Sequence, residues 1–395
     1  MFARRTNWNL TTNAYTRAIE EHRRECSELL DLTASNPTTI GLHYERDGIL
    51  RALANPDGLT YEPSPKGLLP ARQAVARYYA DRGVQVSPDE LILTTSTSEG
   101  YSFLFRLLCE PGDAVLVPSP SYPLFDFLAD LQDVNLVPYE LIYDHGWQVD
   151  FPSLEQAAER SPLCKAVLVV NPNNPTGSFV KPAEAAQLAR FCAQNRLAII
   201  ADEVFLDYSL GDFNFACFTD QKTAADSDSL TFSLSGLSKI AGLPQMKVAW
   251  IAVSGPEAIK REALNRLEVI ADTYLSMNAP VQYAIPTMLY EGTSIQRQLR
   301  ARIEANLAEL DHQLAGQQLC TRLQVEGGWY AILRVPVTGS DEELSIALLR
   351  HAGVLVQPGH FYDFASDGYL VVSLITASEI FATGIKRLLR FVAQA

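Results

Sequence analysis

Residues 166–177 of the 395-residue chain read AVLVVNPNNPTG, an unbroken apolar run that passes directly into a turn of asparagine, proline and glycine. An apolar run of this length, rich in valine, favours a strand covered on both faces, as in the centre of a parallel sheet. The prolines and the glycine that follow restrict the backbone to a fixed irregular turn. The stretch therefore predicts a buried strand whose carboxyl end carries the amide of Asn174.

Similar apolar runs occur on both sides of this strand and alternate with helical patterns. They lie at Ala114–Val117, Ala198–Ala201, Leu230–Leu234 and Val248–Val253. Two predicted helices, Pro70–Arg82 and Pro182–Asn195, begin with the proline that is typical of a helix N-terminus. This alternation indicates an α/β fold with a mostly parallel, doubly wound sheet flanked by helices.

The chain changes character after about residue 285. Four apolar residues on one helical face, followed by two strand-like segments (327–333 and 369–374) and a closing helix (378–392), indicate a smaller α+β domain formed by the two chain ends; the four are Ile303, Leu307, Leu310 and Leu314. We expect an N-terminal segment (1–45) that packs with this domain, a large ligand-binding domain (46–290) and the small domain itself (291–395).

Composition favours a soluble globular protein, with 47% hydrophobic and 20% charged residues. The net charge of −14 argues against nucleic acid or an anionic membrane as partner. The first residues lack the apolar run of a signal peptide, and no segment is long enough to span a bilayer. The cysteines lack a CxxC pair, so we expect a cytoplasmic protein without disulfides or metal; they are Cys26, Cys109, Cys164, Cys192, Cys217 and Cys320.

Polar residues follow several of the predicted strands, at the edge where ligands bind in open α/β sheets. Thr97 and Ser98 begin a helix after a short apolar run, and the free N–H groups of a helix N-terminus suit a phosphate. Asp202 ends the run at 198–201, where a carboxylate could keep a pyridine nitrogen protonated. Each of these features also has a structural explanation, because such residues commonly cap helices.

Lys239 lies in the segment SGLSKIAGLP at residues 235–244, directly after another apolar run. Its small and apolar neighbours can remove water from the ammonium group and so lower the lysine pKa. A lysine with a lowered pKa favours Schiff-base chemistry, although most lysines are simply exposed surface groups.

The order and spacing of these residues carry more information than any one of them. Asp202 follows Asn174 by 28 residues, and Lys239 follows Asp202 by 37. With this combination, nearly the whole chain resembles the class I/II aminotransferases, enzymes of the aspartate-aminotransferase fold (fold type I) that use pyridoxal 5′-phosphate (PLP). The Asn-Pro-Thr-Gly run and the Ser-Lys segment are the most specific points of the resemblance.

The resemblance implies a role for each residue. Lys239 would form the Schiff base and move the α proton, Asp202 would pair with the ring nitrogen, and Asn174 would bind the phenolic oxygen. Tyr122, in the segment PSYP, would stack on the ring. The phosphate would be held by four side chains, those of Thr97, Ser98, Ser238 and Lys247.

Tyr61 bears on the oligomeric state. In the segment YEPSPKG at 61–67, it matches a tyrosine of the family that reaches the phosphate of a partner subunit. The resemblance therefore implies a homodimer with the site at the subunit interface.

Three positions depart from the family pattern. Phe205 stands where the family usually has a tyrosine, so one hydrogen bond to the phenolic oxygen is lost. Lys247 replaces an arginine, which keeps the charge without the bidentate fork. Val371 aligns with the arginine that clamps the substrate's α-carboxylate, and a valine cannot bind that group. Three other basic residues are candidates for that role, namely Arg334, Arg46 and His360.

The resemblance leaves three functions open. The first is an aminotransferase for an amino acid or amine donor and a carbonyl acceptor, with atypical recognition of the carboxylate. The second is a PLP-dependent lyase or another enzyme acting on a carbon–heteroatom bond. The third is a degenerate PLP-binding protein without activity.

Overall fold

The structure is a computed structural model that describes residues 1–25, 28–123, 125–220 and 229–394, so that Cys26 lies outside the described residues. The strands are β1 Leu30–Asp31, β2 Leu91–Thr94, β3 Ala114–Ser119, β4 Asn135–Tyr143, β5 Trp147–Val149, β6 Cys164–Val170, β7 Ala198–Asp202, β8 Thr231–Gly236, β9 Ala249–Ser254, β10 Thr321–Arg322, β11 Tyr330–Arg334, β12 Val354–Leu355, β13 Gln357–Pro358 and β14 Tyr369–Ser373. The helices are α1 Ala14–Glu25, α2 Arg46–Leu53, α3 Leu69–Ala80, α4 Thr97–Leu108, α5 Phe125–Asp130, α6 Phe151–Arg160, α7 Pro182–Asn195, α8 Leu237–Ile240, α9 Glu257–Tyr274, α10 Ala279–Leu314, α11 Asp341–Ala352 and α12 Ser378–Val392. No helix in these described ranges is both long and apolar enough to cross a membrane.

The central sheet has eight strands in the order β2-β9-β8-β7-β6-β3-β4-β5. The pairs between β4, β3, β6, β7 and β8 are parallel, which confirms the predicted mostly parallel α/β sheet. The apolar run at 248–253, which we grouped with the parallel strands, instead forms the antiparallel strand β9 between β8 and β2. An apolar run of this kind indicates that a strand is buried on both faces, but it does not indicate whether the strand is parallel or antiparallel to its neighbours.

Alternation along β6 shows how the sheet is covered. Ala166, Leu168 and Val170 pack into the core on one face, with side chains of α4 and α9. Val167 and Val169 pack into the core on the other face, with side chains of α7. Both faces are therefore buried by helices, as the valine-rich sequence predicts.

A second region contains the four-stranded sheet β10-β11-β14-β13 and its helices. Strand β1 pairs in parallel with β12, and the Ser373 amide donates to the Leu32 carbonyl at 2.7 Å, so the two chain ends lie together. Helix α10 runs unbroken across the predicted boundary between residues 290 and 291. The exact domain limits stay a prediction.

Candidate active site

The parallel register brings three predicted residues to one edge of the sheet. Val170, Asp202 and Leu234 are direct neighbours across β6, β7 and β8. The asparagine-rich loop leaves β6 at this edge, Asp202 ends β7, and β8 leads into the short helix α8 that carries Lys239. The sequence spacing of these residues thus becomes spatial proximity, because the carboxyl ends of parallel strands meet at the same edge.

Lys239 is enclosed by aromatic rings. Its Nζ atom lies 4.7 Å from the ring centre of Trp329 and 5.3 Å from that of Phe205. Burial lowers the pKa of Lys239 to about 8, and the nearby carboxylate of Asp202 opposes this shift. A substantial fraction of the amine is therefore neutral and nucleophilic near pH 8.

Asp202 is 8% exposed, and its two oxygens have different partners. The Tyr101 hydroxyl donates to Oδ2 at 2.8 Å, and the Val204 amide donates to Oδ1 at 3.2 Å. Burial raises the pKa of Asp202, and these donors together with the charge of Lys239 oppose the shift. Tyr101 was missed in the sequence, where it begins an apolar stretch and resembles a core residue.

Two asparagines of the loop after β6 form hydrogen bonds that hold the loop, and the third is available to the site. Asn171 donates to the Ala216 carbonyl at 2.8 Å and accepts from the Val180 amide at 3.0 Å. Asn173 donates to the Pro120 carbonyl at 3.0 Å. The Asn174 side chain is 8% exposed, and among the described residues its Oδ1 atom has no hydrogen-bond partner. A buried carboxamide oxygen that accepts no hydrogen bond is costly, and such an atom in a cleft is typical of a site that a ligand completes.

The predicted phosphate-binding residues come from two elements. At the start of α4, the Ser96 side chain caps the Glu99 amide at 3.1 Å, which leaves the amides of Thr97 and Ser98 available in the described part of the chain. Ser238 lies in α8, next to Lys239. The Leu237 amide donates to the Val248 carbonyl at 3.0 Å, which holds the exposed Lys247 near the start of α8.

Further aromatic side chains line the same region. Tyr122 is 41% exposed and packs edge-on against Phe125 with ring centres 6.2 Å apart. Burial raises the pKa of Tyr122, and the charge of Asp202 adds to the shift. Tyr330 lies 6.4 Å from the Phe205 ring, centre to centre. Trp329 and Tyr330 belong to a segment that the sequence predicted only as a turn into a strand.

Val371 is fully buried in β14, opposite Ile332 of β11 and Gln357 of β13. Opposed residues of an antiparallel sheet share a face, so these three side chains form one row. The polar member of this row is Gln357, whose Oε1 atom accepts a hydrogen bond from the Tyr362 hydroxyl.

The basic candidates for a replacement clamp lie elsewhere. Arg334 is exposed at the end of β11 with its guanidinium 5.8 Å from the ring centre of Tyr369. Arg46 is exposed at the start of α2, and the exposed His360 packs against Phe361. Within the described ranges, none of the three forms a hydrogen bond with Asp202 or Asn174.

Tyr61 stays apart from this group of side chains within one chain. It is 79% exposed and makes no hydrogen bond or ring contact with any residue that the structure describes. Its implied contact with a partner subunit stays a prediction.

The polar groups at this edge of the sheet fit the cofactor that the sequence resemblance implies. PLP needs an amine for its aldehyde, an acid for its ring nitrogen, a donor for its phenolic oxygen and a phosphate site. Lys239 supplies the amine and Asp202 the acid, the Nδ2 group of Asn174 can donate to the phenolic oxygen, and the α4 N-terminus with Lys247 offers the phosphate site. The residues therefore fit PLP, even with Phe205 in place of the usual tyrosine.

Comparison with known proteins agrees with this geometry. The sequence model of the family described as aminotransferase class I and II matches residues 27–380. Glutamate-pyruvate aminotransferase AlaA of Haemophilus influenzae is 29% identical over 384 residues, which cover 93% of this chain and 92% of that protein. S-alkyl-thiohydroximate lyase SUR1 of Arabidopsis thaliana is 28% identical over 246 residues, which cover 62% of this chain and 52% of that protein.

The fold is shared with solved structures. The structure of an alanine aminotransferase from Pyrococcus furiosus covers all of both chains with a TM-score of 0.86 at 20% identity. Because the family model spans most of the sequence, the chain belongs to the class I and II aminotransferases, which are PLP-dependent transferases.

Proposed function

We propose that this enzyme moves an amino group from an amino acid or amine to a carbonyl acceptor, with Lys239 as the catalytic residue and without an arginine clamp at position 371. The observation that carries the proposal is the amine of Lys239, which has a pKa lowered by burial and lies near Asp202, at the sheet edge from which the Asn174 loop also leaves. Family membership supports the reaction class, and the side-chain geometry supports the assignment of roles.

When bound, PLP supplies the electron sink that stabilises negative charge at the substrate's α carbon. Lys239 holds the cofactor and then accepts and returns the α proton at Nζ. Asp202 keeps a proton at the ring nitrogen, and the Asn174 amide donates to the phenolic oxygen. The rings of Phe205 and Trp329 exclude water from the lysine, which keeps the amine weakly basic.

At the other end of the cofactor, Thr97, Ser98, Ser238 and Lys247 bind the phosphate in this proposal. Two unused amides at the α4 N-terminus and one lysine side chain supply donors and positive charge, which together favour a dianion. Tyr122 would stack against the ring, as the resemblance to the family implies.

The pKa of Lys239 predicts the pH dependence of cofactor capture. Only the neutral amine attacks an aldehyde, so a lysine with a pKa of about 8 should react increasingly fast as pH rises and level off above about pH 9. Stopped-flow absorbance of apoenzyme mixed with PLP at a series of pH values measures this rate. A midpoint near 10.5 would instead indicate an exposed lysine and contradict the assigned environment.

Substrate recognition is proposed to rely on uncharged groups. The Tyr362 hydroxyl donates to Gln357, and the Tyr362 carbonyl accepts from the amide of Ser121, the residue before Tyr122, at 2.9 Å. Burial raises the pKa of Tyr362. We infer that the Tyr362 and Gln357 side chains form a wall of phenol and carboxamide groups where the family has a guanidinium. Such a wall would hydrogen-bond a substrate without compensating a full negative charge.

A panel of matched donors tests this recognition and the function together. Each L-amino acid is paired with its decarboxylated amine, for example phenylalanine with phenethylamine, and the loss of the PLP absorbance band is followed with purified holoenzyme. We expect the two members of a pair to differ by no more than about tenfold in kcat/KM, because no bidentate ion pair favours the carboxylate. Gln357→Leu should lower kcat/KM about three- to tenfold, whereas Gln148→Leu on the exposed face of β5 should not.

Other outcomes of the panel exclude parts of the proposal. A preference above about a hundredfold for carboxylate donors would require a cation at the site, and Arg334, Arg46 and His360 would become the positions to mutate. Release of ammonia with a keto product, in the absence of an acceptor, would replace transamination by lyase chemistry. If no donor changed the band, the protein would be a degenerate PLP-binding protein.

The enzyme is further proposed to act as a cytoplasmic homodimer with Tyr61 at the interface. Tyr61 is 79% exposed and lines a cavity together with residues 275–279, and Leu59, two residues before it, is 93% exposed. Exposed apolar side chains around a cavity favour burial by a second copy. Light scattering should give twice the 43.6 kDa chain mass, and cell fractionation tests the compartment.

A further inference from the structure

Helix α4 contributes a side chain to the site in addition to its N-terminal amides. Tyr101 lies one turn into the helix and is 2% exposed. Its ring is held edge-on by Phe125, with centres 5.2 Å apart, and is in tilted contact with Phe105 at 6.1 Å. The hydroxyl is thus fixed in position, and its partner is Oδ2 of Asp202 at 2.8 Å.

We infer that Tyr101 is a positioning residue that keeps the Asp202 carboxylate ionised and correctly oriented for the ring nitrogen of the cofactor. The inference rests on the proposed function, because it needs Asp202 to face that nitrogen. Tyr101 acts through Asp202 and is not assigned contact with substrate.

The need for such a residue follows from burial. A carboxylate with little access to water tends to take up a proton, and a protonated Asp202 could no longer hold a proton at the ring nitrogen. Burial raises the pKa of Asp202, while the hydroxyl of Tyr101 lowers it because an O–H donor stabilises the charged form. The other groups that face Asp202 are the Val204 amide, Lys239 and Tyr122.

The Asp202 carboxylate is also oriented by its two hydrogen-bond donors. The Val204 amide fixes Oδ1 from the backbone, and Tyr101 fixes Oδ2 from the opposite element. Two donors from different elements determine the plane of the carboxylate, so its remaining lone pairs have one direction. This is preorganisation of a charged group, which in an enclosed site contributes more than in water.

The test compares PLP binding to apoenzyme across pH in two variants with opposite expected effects. Tyr101→Phe deletes only the donor, so Asp202 should become protonated at higher pH. The fall in PLP affinity on acidification, which we call the acidic limb, should therefore begin at higher pH. Near pH 7 the dissociation constant should increase about tenfold, the usual effect of losing a hydrogen bond to a charged group. Replacement of Tyr101 by 3-fluorotyrosine strengthens the donor and should move the limb to lower pH.

The matched control is Tyr139→Phe. Tyr139 is also a buried tyrosine in the large sheet, and its hydroxyl donates to the Leu168 carbonyl at 2.9 Å. It should change protein stability without moving the pH limb of PLP affinity. The fluorinated protein keeps the shape of the side chain, so it answers the question even when Tyr101→Phe does not fold.

The outcomes separate this inference from the proposed function. Identical pH limbs for the wild type, the phenylalanine variant and the fluorinated protein would overturn the role of Tyr101 while leaving the transaminase proposal intact. Wild-type apoenzyme that does not bind PLP would instead overturn the proposed function. Opposite shifts in the two Tyr101 proteins would support the inference, because a purely structural tyrosine does not respond to the acidity of its phenol.

Discussion

Lys239→Ala is expected to abolish covalent attachment of the cofactor and to lower kcat/KM for the best donor by at least about 10⁴-fold. The variant loses the amine that holds the aldehyde and the base that moves the α proton, and the surrounding rings of Phe205 and Trp329 offer no substitute. Borohydride reduction followed by peptide mass spectrometry measures the attachment, and single-turnover absorbance measures the chemistry. The wild type should carry the label on Lys239, and the variant should carry none.

Lys165→Ala is the matched control for this experiment. The Lys165 side chain is 41% exposed, beside Asp113 at 3.6 Å, on the strand next to β7. Its removal should leave both labelling and turnover at wild-type values. Label on a lysine other than Lys239 in the wild type, or turnover of Lys239→Ala within tenfold of the wild type, would refute the catalytic assignment.

The sequence was informative where one residue type has one physical consequence. Apolar runs predicted the buried strands, and the loop after Val170 was recognisable from its prolines and asparagines. Because strands of a parallel sheet end at a common edge, the proximity of Asp202 and Lys239 also followed from the linear order. The main sheet and the position of the site can therefore be predicted from local sequence patterns that recur at the ends of successive strands.

Other features depend on pairing and packing that a single sequence does not encode locally. The direction of β9 is set by its neighbours, since a strand buried on both faces is equally apolar in either direction. Tyr101 looks like a core residue until β7 brings Asp202 to its hydroxyl. Gln357 becomes relevant only through its register with Val371 across two strands. In each case the missing information is a long-range contact.

Asp202→Asn is expected to lower kcat by about 10³-fold, comparable to the removal of a preorganised charged partner from an enclosed site. Asparagine is isosteric and still accepts from the Val204 amide, so the local structure should be preserved. What it loses is the negative charge that holds a proton at the ring nitrogen. Since that nitrogen must be protonated for the ring to act as a strong electron sink, loss of the charge slows proton removal more than it weakens binding.

The same variant should also capture PLP faster near neutral pH, which a general loss of function would not produce. The charge of Asp202 raises the pKa of Lys239 against the larger effect of burial. Removing that charge should lower the pKa of Lys239 further, so the midpoint for PLP capture should move below pH 8, and capture near pH 7 should become faster. Stopped-flow capture and donor turnover are measured on the same preparation.

Asp207→Asn provides the control, because Asp207 is another carboxylate that accepts a hydrogen bond from a tyrosine, Tyr78. It also pairs with Arg82 at 2.8 Å, so its loss should reduce stability. It should leave the capture midpoint unchanged. Faster PLP capture combined with slower turnover is expected only if the charge of Asp202 acts both on Lys239 and on the ring nitrogen of the cofactor. A capture midpoint that stays at pH 8 in Asp202→Asn would show that the carboxylate does not act on Lys239.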